Sequence, residues 1–293
     1  MTNDSSARRP CPGAPSGARA RRAARHQRLA VGAATLGAVV TLGAAPAPPA
    51  PGRVSAAHQD TIVGDSGRPA AATVPWGVGE RLGYDVKFGI LKAGSAVLEV
   101  PEIADVRGRR AYHAVFRVTG GTFFYKVNDT YESWIDTATL ASLRFYQTQL
   151  EGGKSRNKRY EIFPERETYQ DGNKPEERSV ADPLDDGSFL YAVRTLPLHT
   201  GDVYELNRYY KPDRNPVRIR VVRREQIRVP AGTFNAVVVQ PTIKTKGIFS
   251  EGGRAEVWLS DDDERLVLQM RSSLSFGSLS MQLRSRQSGR KAS

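Results

Sequence analysis

Apolar and polar residues alternate along most of the chain from Glu80 onward. The segment RLGYDVKF shows the pattern clearly, because every second residue from Leu82 to Phe88 is apolar, as in a half-buried β-strand. Similar segments recur at short intervals and are separated by turn residues such as Gly152-Gly153. This spacing favours antiparallel hairpins over βαβ units. The sequence therefore predicts a mainly β fold with a large curved antiparallel sheet, either a barrel or an open clamshell.

One segment, DPLDDGSFLYAVRTLPL, has helical periodicity instead. Asp182 is expected to cap the N-terminus of this helix, and Pro183 suits its first position. Asp185 and Asp186 would then lie in the first turn, where carboxylates oppose the helix dipole. The apolar positions at helical spacing are Phe189, Leu190, Val193 and Leu196. The pattern predicts one short helix that covers the sheet and ends before Pro197.

The N-terminal 57 residues differ from the rest in charge and composition. The chain of 293 residues has a formal net charge of +12, of which residues 1–57 contribute +7 through eight arginines and one acid. The remaining net charge of +5 is an ordinary basic surface, so nucleic acid is not predicted as a partner. The basic segment precedes LAVGAATLGAVVTLGAA and small residues at Ala56 and Ala57, the order typical of a secretory signal peptide. A retained anchor is the alternative, since the apolar run is marginal for spanning a bilayer.

These features predict the organisation of the whole chain. Residues 1–57 are interpreted as a signal peptide, 58–79 as a disordered linker, 80–285 as a single β-rich domain and 286–293 as a disordered tail. No transmembrane span is expected after signal cleavage, and the predicted location is the periplasm or cell envelope. Cys11 is the only cysteine and lies before the apolar run. Disulfides and Cys-ligated zinc are therefore excluded from the exported part.

Four consecutive acids, Asp261 to Glu264, interrupt two alternating segments. A calcium loop needs oxygen ligands at alternating positions and a glycine, whereas successive side chains of an extended segment point to opposite faces. The segment is therefore predicted to be the connection of a β-hairpin between strands at 255–260 and 265–272. No metal site and no cofactor are predicted.

Glu132 and Glu151 are the best candidates for paired catalytic carboxylates, because they lie in the most aromatic part of the chain. A glycosidase needs two such groups across one groove. The other interpretation is that they form ordinary cross-strand ion pairs with Arg144, Arg156 or Lys158. The ion-pair interpretation is favoured, since charged residues on one face of a strand are usually solvated.

Five segments, taken in order, resemble domain-of-unknown-function family 3108. They are ERLGYDVKFGILKAGSAVLEV, NDTYESWIDTATLASLRFYQTQLEGGKSRNKRYEIF, DPLDDGSFLYAVRTLPLHTGD, VPAGTFNAVVVQP and VWLSDDDERLVLQM. The resemblance runs from about Glu80 to Arg284. It implies an exported, β-rich bacterial envelope protein with antiparallel architecture, and it implies no reaction.

Aromatic residues are concentrated between Tyr112 and Tyr146, beside basic residues. On the concave side of a curved sheet such residues can bind an amphipathic ligand. The sequence thus predicts a non-catalytic binding, carrier or scaffold module for an amphipathic lipid or glycan ligand or an envelope protein partner. The alternative is an enzyme that acts on cell-envelope polysaccharide through Glu132 and Glu151. The predicted contact residues are Tyr84, Phe88, Tyr131 and Trp134, and the predicted partners of an anionic head group are Arg144 and Arg159.

Overall fold

The structure is a computed structural model that describes residues 73–121, 126–243, 254–274 and 277–290. Fourteen strands in these residues form one antiparallel sheet. Neighbours in the sheet are mostly neighbours in the sequence, as short hairpin connections require. The predicted mainly β architecture is confirmed.

The elements have the following bounds. The first eight strands are β1 Arg81–Phe88, β2 Leu91–Val106, β3 Arg109–Gly121, β4 Lys126–Asp136, β5 Ser142–Glu151, β6 Lys154–Phe163, β7 Thr168–Asp171 and β8 Glu177–Arg178. The helix α1 spans Ser188–Arg194. The remaining strands are β9 Val203–Leu206, β10 Val217–Val229, β11 Gly232–Thr242, β12 Arg254–Ser260, β13 Val267–Leu274 and β14 Gly277–Gln287. Their order in the sheet is β8-β7-β6-β5-β4-β3-β2-β1-β14-β13-β12-β11-β10-β9.

The sheet curves until segments near its two edges meet. The edge strands β8 and β9 are not hydrogen-bonded to each other in the described residues, so the sheet is open. The hydroxyl of Ser179, the residue directly after β8, donates to the carbonyl oxygen of Tyr210 at 2.8 Å. The Tyr210 ring centroid lies 5.3 Å from that of Tyr160 in β6 and 5.2 Å from that of Tyr169 in β7. Of the two predicted forms, the open clamshell is the one observed.

Strand alternation gives the sheet an inner and an outer face. The inner face forms one hydrophobic core that includes Tyr84, Phe145, Ile219 and Val257, from both halves of the sheet. Because burial of apolar surface is the main stabilising contribution, this shared core is what holds the curved halves together. A small separate cluster lies on the outer face and contains Val106, Ala111, Trp134 and Leu143.

The two ends of the strands differ in what lies there. The Ser188 hydroxyl at the start of α1 is 2.7 Å from the Ser142 hydroxyl at the start of β5. The end of the sheet at which these two residues lie is called the helix end. The connections β1–β2, β3–β4 and β5–β6 lie at the opposite end, called the far end. The helix end is therefore covered by α1 and its flanking segments.

The helix begins later than the sequence pattern predicts. Asp182 lies six residues before Ser188, the first residue of α1, so its prediction as the N-cap is wrong. The residue directly before the helix is Gly187, and Asp185 supplies the side-chain cap, because its Oδ1 accepts the backbone N–H groups of Gly187 at 2.8 Å and Ser188 at 2.9 Å. The same oxygen accepts the hydroxyl of Ser133 in β4 at 2.6 Å. The carboxylate of Asp185 therefore both caps the start of α1 and docks it on the sheet.

Both termini of the described chain are ordered further than expected. Trp76 is 1% exposed, and its ring centroid lies 5.0 Å from that of Tyr191 in α1. Val78 and Arg290 exchange two backbone hydrogen bonds, of 3.1 and 2.8 Å. The predicted disorder of 58–79 and 286–293 is therefore wrong for residues 73–79 and 286–290, because a buried tryptophan and a strand extension fix them. The predicted signal peptide and residues 58–72 lie outside the described residues.

A buried ion pair joins α1 to the start of the sheet. The Arg194 Nη1 and Nη2 atoms donate to Oε1 and Oε2 of Glu80 at 2.7 and 2.8 Å, and Nη2 also donates to the carbonyl oxygen of Glu264 at 3.0 Å. Their side chains are 0% and 3% exposed. Burial acts to lower the pKa of Arg194, but the hydrogen bonds and charge of Glu80 outweigh it, so the pKa is raised. Three segments far apart in sequence converge on this guanidinium.

The acidic segment after β12 is a hairpin connection, as predicted. Asp262 Oδ1 accepts the Ser260 hydroxyl at 2.6 Å and the backbone N–H of Glu264 at 3.0 Å. Asp261 pairs with Arg224 at 2.8 Å. Two of these acids therefore order the turn rather than only being solvated. Within the part of the chain that the structure describes, no helix has the length and apolar character needed to cross a membrane.

Candidate functional site

Five polar residues cluster on the inner face toward the far end of β4 and β5. Strand alternation places two residues of β4 and three of β5 on the same side, next to the aromatic core. All five are buried, with at most 7% of each residue exposed. This inner polar cluster consists of Asp129, Tyr131, Gln147, Gln149 and Glu151. Such a set is unusual on a face that is mostly apolar.

The hydrogen bonds within the inner polar cluster leave two carboxylate oxygens without partners. The Gln149 side-chain amide donates to the Tyr131 hydroxyl at 3.0 Å, and the backbone N–H of Leu150 donates to Asp129 Oδ1 at 3.1 Å. Asp129 Oδ2 and Glu151 Oε1 are buried and accept no hydrogen bond from the described residues. Buried polar atoms in folded proteins are almost always paired, so these two oxygens are satisfied either by a proton shared between the two carboxyl groups or by a donor from outside the chain.

The two carboxyl groups influence each other's protonation. Burial raises the pKa of Glu151 to about 7, and the neighbouring charge of Asp129 acts in the same direction, while Arg156 opposes it. Burial also raises the pKa of Asp129, although the Leu150 N–H favours its charged form. The pair therefore exchanges a proton with solvent around neutral pH.

The predicted aromatic contact residues Tyr84, Phe88 and Tyr131 of β1 and β4 lie in different environments. Tyr84 is 0% exposed, and its hydroxyl donates to the carbonyl oxygen of Val267 at 3.0 Å, so its prediction as a contact residue is wrong: it is a core residue. Phe88 is half-buried at the end of β1, opposite Leu279. Tyr131 belongs to the inner polar cluster and packs at 6.1 Å from the ring of Phe116.

The other three predicted contact residues lie on the outer face. Trp134 packs 5.0 Å from the Tyr146 ring, and the Arg159 guanidinium lies 4.5 Å from the same ring. Arg144 Nε is 2.6 Å from a carboxylate oxygen of Glu161. Tyr131 and Trp134 are three residues apart in one strand and thus point to opposite faces. The predicted set cannot contact one ligand, and Arg144 and Arg159 are not beside an inner-face head group.

Glu132 and Glu151 also lie on opposite faces. Glu132 is three residues from Asp129 in β4, whereas Glu151 shares the inner face with Asp129. Glu132 Oε1 is 3.2 Å from Nε2 of His113 on the outer face, so its ion-pair partner is His113 and not one of Arg144, Arg156 or Lys158, which the ion-pair interpretation expected. The geometry contradicts the predicted pairing of these two carboxylates across a single groove, so they cannot be the catalytic pair of the enzyme alternative.

Sequence reasoning missed three members of the inner polar cluster: Asp129, Gln147 and Gln149. A signal was present, because Gln147, Gln149 and Glu151 continue the period-two pattern of Phe145, a core residue. In the described residues no group of three or more His, Cys, Asp or Glu side chains is arranged to hold a metal ion.

An open, barrel-like antiparallel sheet with one covering helix defines the structural class of this protein. A crystal structure of a "Beta-barrel-like Protein of Domain of Unknown Function DUF1849" from Brucella abortus is similar, with a TM-score of 0.50 at 12% sequence identity. The similarity covers 74% of this chain and 100% of that chain. At this identity the likeness concerns the fold alone.

The chain belongs to the family described as Protein of unknown function (DUF3108), whose sequence model matches residues 83–284. The resemblance found from the five segments is thereby confirmed. No curated protein matches the chain.

Two further solved structures have lower similarity, each at 12% identity over 74% of this chain and 100% of theirs. One, from Parabacteroides distasonis, is provisionally described as a lipoprotein and has a TM-score of 0.36. The other, from Bacteroides fragilis, is provisionally described as an exported protein with a YmcC-like fold and has a TM-score of 0.28.

Proposed function

We propose that this protein is an exported, non-catalytic binding module of the cell envelope that takes an amphipathic ligand on its inner face. The single observation that carries the proposal is the buried pair of carboxyl groups of Asp129 and Glu151, whose Oδ2 and Oε1 atoms accept no hydrogen bond from any other described residue. Ligand sites combine an apolar lining with a few convergent polar groups, and the inner polar cluster beside the aromatic core has this composition. The basic and apolar leader in residues 1–57 supports export.

The chemistry of the inner polar cluster narrows the ligand class. Asp129 and Glu151 present acceptor oxygens, and two glutamines and a tyrosine lie beside them. A polar group rich in donors, such as the hydroxyl groups of a glycan head or an ammonium group, fits this set better than an anionic head group. The arginines predicted to meet an anion lie on the outer face, in contact with Glu161 and Tyr146. The proposed ligand is therefore amphipathic, with hydroxyl or ammonium donors next to its apolar part.

Native mass spectrometry of the protein purified from its own envelope tests this proposal. The wild type is expected to carry a bound lipid or glycolipid mass, and Glu151→Gln is expected to retain on the order of tenfold less, because a charge-assisted hydrogen bond becomes a neutral one. Glu132→Gln is the matched control, since it removes the same charge from the adjacent strand on the outer face.

The control variant is expected to retain the ligand at the wild-type level. A wild type that carries no ligand mass, or equal retention in Glu151→Gln and the wild type, contradicts the proposed function. Circular dichroism of each variant separates loss of ligand from loss of fold.

A further inference from the structure

The β1–β2 hairpin at the far end carries two exposed apolar side chains. Ile90 is 94% exposed and Leu91 is 69% exposed, the two most exposed large apolar residues among those the structure describes. Gly94 pairs with Gly120 in the neighbouring strand, and Leu91 starts β2 three residues beyond that pair. On its other side the hairpin is flanked by β14, because the Gly89 N–H donates to the carbonyl oxygen of Ser278 at 2.8 Å. Apolar groups exposed at this turn contribute nothing to the core.

The far end is also basic where it is exposed. Lys126 at the start of β4 and Lys154 and Arg156 in β6 are exposed and make no ion pair within the described residues. The acids nearest to them in the sheet, Asp129 and Glu151, are buried on the inner face. Arg156 acts to lower the pKa of Glu151 but forms no ion pair with it in the described residues. In the sheet these cations lie two strands (β4) and four strands (β6) from β2, at the same end as the exposed apolar turn.

We propose that this far-end surface, defined as Ile90, Leu91, Lys126, Lys154 and Arg156, docks the protein on an anionic lipid bilayer. Interfacial binding of proteins combines apolar side chains inserted into the head-group boundary with cations attracted to anionic lipids. Docking of this kind needs no membrane-spanning element.

The charge distribution selects lipid over a second copy of the chain. Two far-end surfaces brought together would place Lys126, Lys154 and Arg156 against the same cations of the partner, which is unfavourable without a counter-charge. Two apolar side chains also bury far less area than a stable protein interface requires. A bilayer supplies both the apolar layer and a continuous negative surface.

Vesicle co-sedimentation of the full chain, expressed with its own leader and purified as the cell processes it, tests the proposal. The wild type is expected to bind vesicles of equal parts phosphatidylglycerol and phosphatidylcholine, and more weakly pure phosphatidylcholine, with binding that falls as salt is raised. Lys126→Glu with Lys154→Glu is expected to weaken binding to the anionic vesicles on the order of tenfold or more. Ile90→Ser with Leu91→Ser is expected to weaken binding to both vesicle types.

Matched controls change the same kinds of residue away from the far end. Val203→Ser removes an apolar side chain that is 51% exposed on the edge strand β9. Arg110→Glu with Arg228→Glu reverses two exposed charges at the helix end. Both controls are expected to bind like the wild type. The proposal is overturned if the wild type does not bind anionic vesicles, or if the helix-end charge reversals weaken binding as much as the far-end ones.

Discussion

The buried ion pair between Glu80 and Arg194 gives the sharpest prediction about stability. Glu80→Gln removes the negative charge but keeps a side chain of nearly the same shape. Arg194 remains fully buried and hydrogen-bonded to Glu264, so the guanidinium is left as an uncompensated charge. Because the rest of the site cannot open to water without unpacking Trp76, the variant is expected to lose stability rather than relax.

The expected loss is large compared with ordinary substitutions. Removing one partner of a buried pair costs about 3–5 kcal/mol, a substantial fraction of the roughly 5–15 kcal/mol by which domains are stable. An exposed pair provides the comparison: Arg218 Nη2 is 2.6 Å from Glu205 Oε1, with both side chains more than half exposed. Glu205→Gln is expected to cost at most about 1 kcal/mol, since solvent screens this pair.

Urea unfolding monitored by tryptophan fluorescence measures both variants. The double variant Glu80→Gln with Arg194→Met is expected to be more stable than Glu80→Gln alone, because no unpaired buried charge remains. A loss below about 1 kcal/mol in Glu80→Gln, equal to that in Glu205→Gln, would refute the reasoning from burial.

Two further predictions concern buried carboxyl groups. The folded-state pKa of Glu151 is raised from 4.5 to about 7, so the folded state binds more protons in this interval and the free energy of unfolding falls as pH rises through it. Urea unfolding at several pH values should show this slope in the wild type and a flatter one in Glu151→Gln; identical slopes contradict the assignment. Asp185→Ala should lower the free energy of unfolding by about 1–3 kcal/mol, because three hydrogen bonds are lost at the start of α1. Asp182→Asn, the control, should change it little.

Local patterns predicted the strands well and the helix start poorly. Period-two alternation in RLGYDVKF identified β1, and the acidic run after Ser260 was identified as a hairpin connection, because both depend on neighbours in sequence. The helix start was misplaced, since three aspartates of one segment compete for the cap and only docking against Ser133 favours Asp185. The order of residues 73–79 was missed, because Trp76 is held by rings of other elements.

The arrangement of the candidate site depended more on tertiary structure than the positions of the strands did. From the sequence, Glu132 and Glu151 are equivalent acids in neighbouring strands, and only the register of β4 and β5 places them on opposite faces. The same register joins Glu151 to Asp129, and burial then raises the pKa of both groups.

The sequence by itself thus determined the class of fold, the family and the positions of most strands, because alternation and turn residues act over a few neighbours. The tertiary structure decided that the sheet stays open, which polar residues point inward and which cations stay exposed. Those properties depend on strand register and on contacts between residues far apart in the chain, such as Glu80 with Arg194, and no local pattern specifies them.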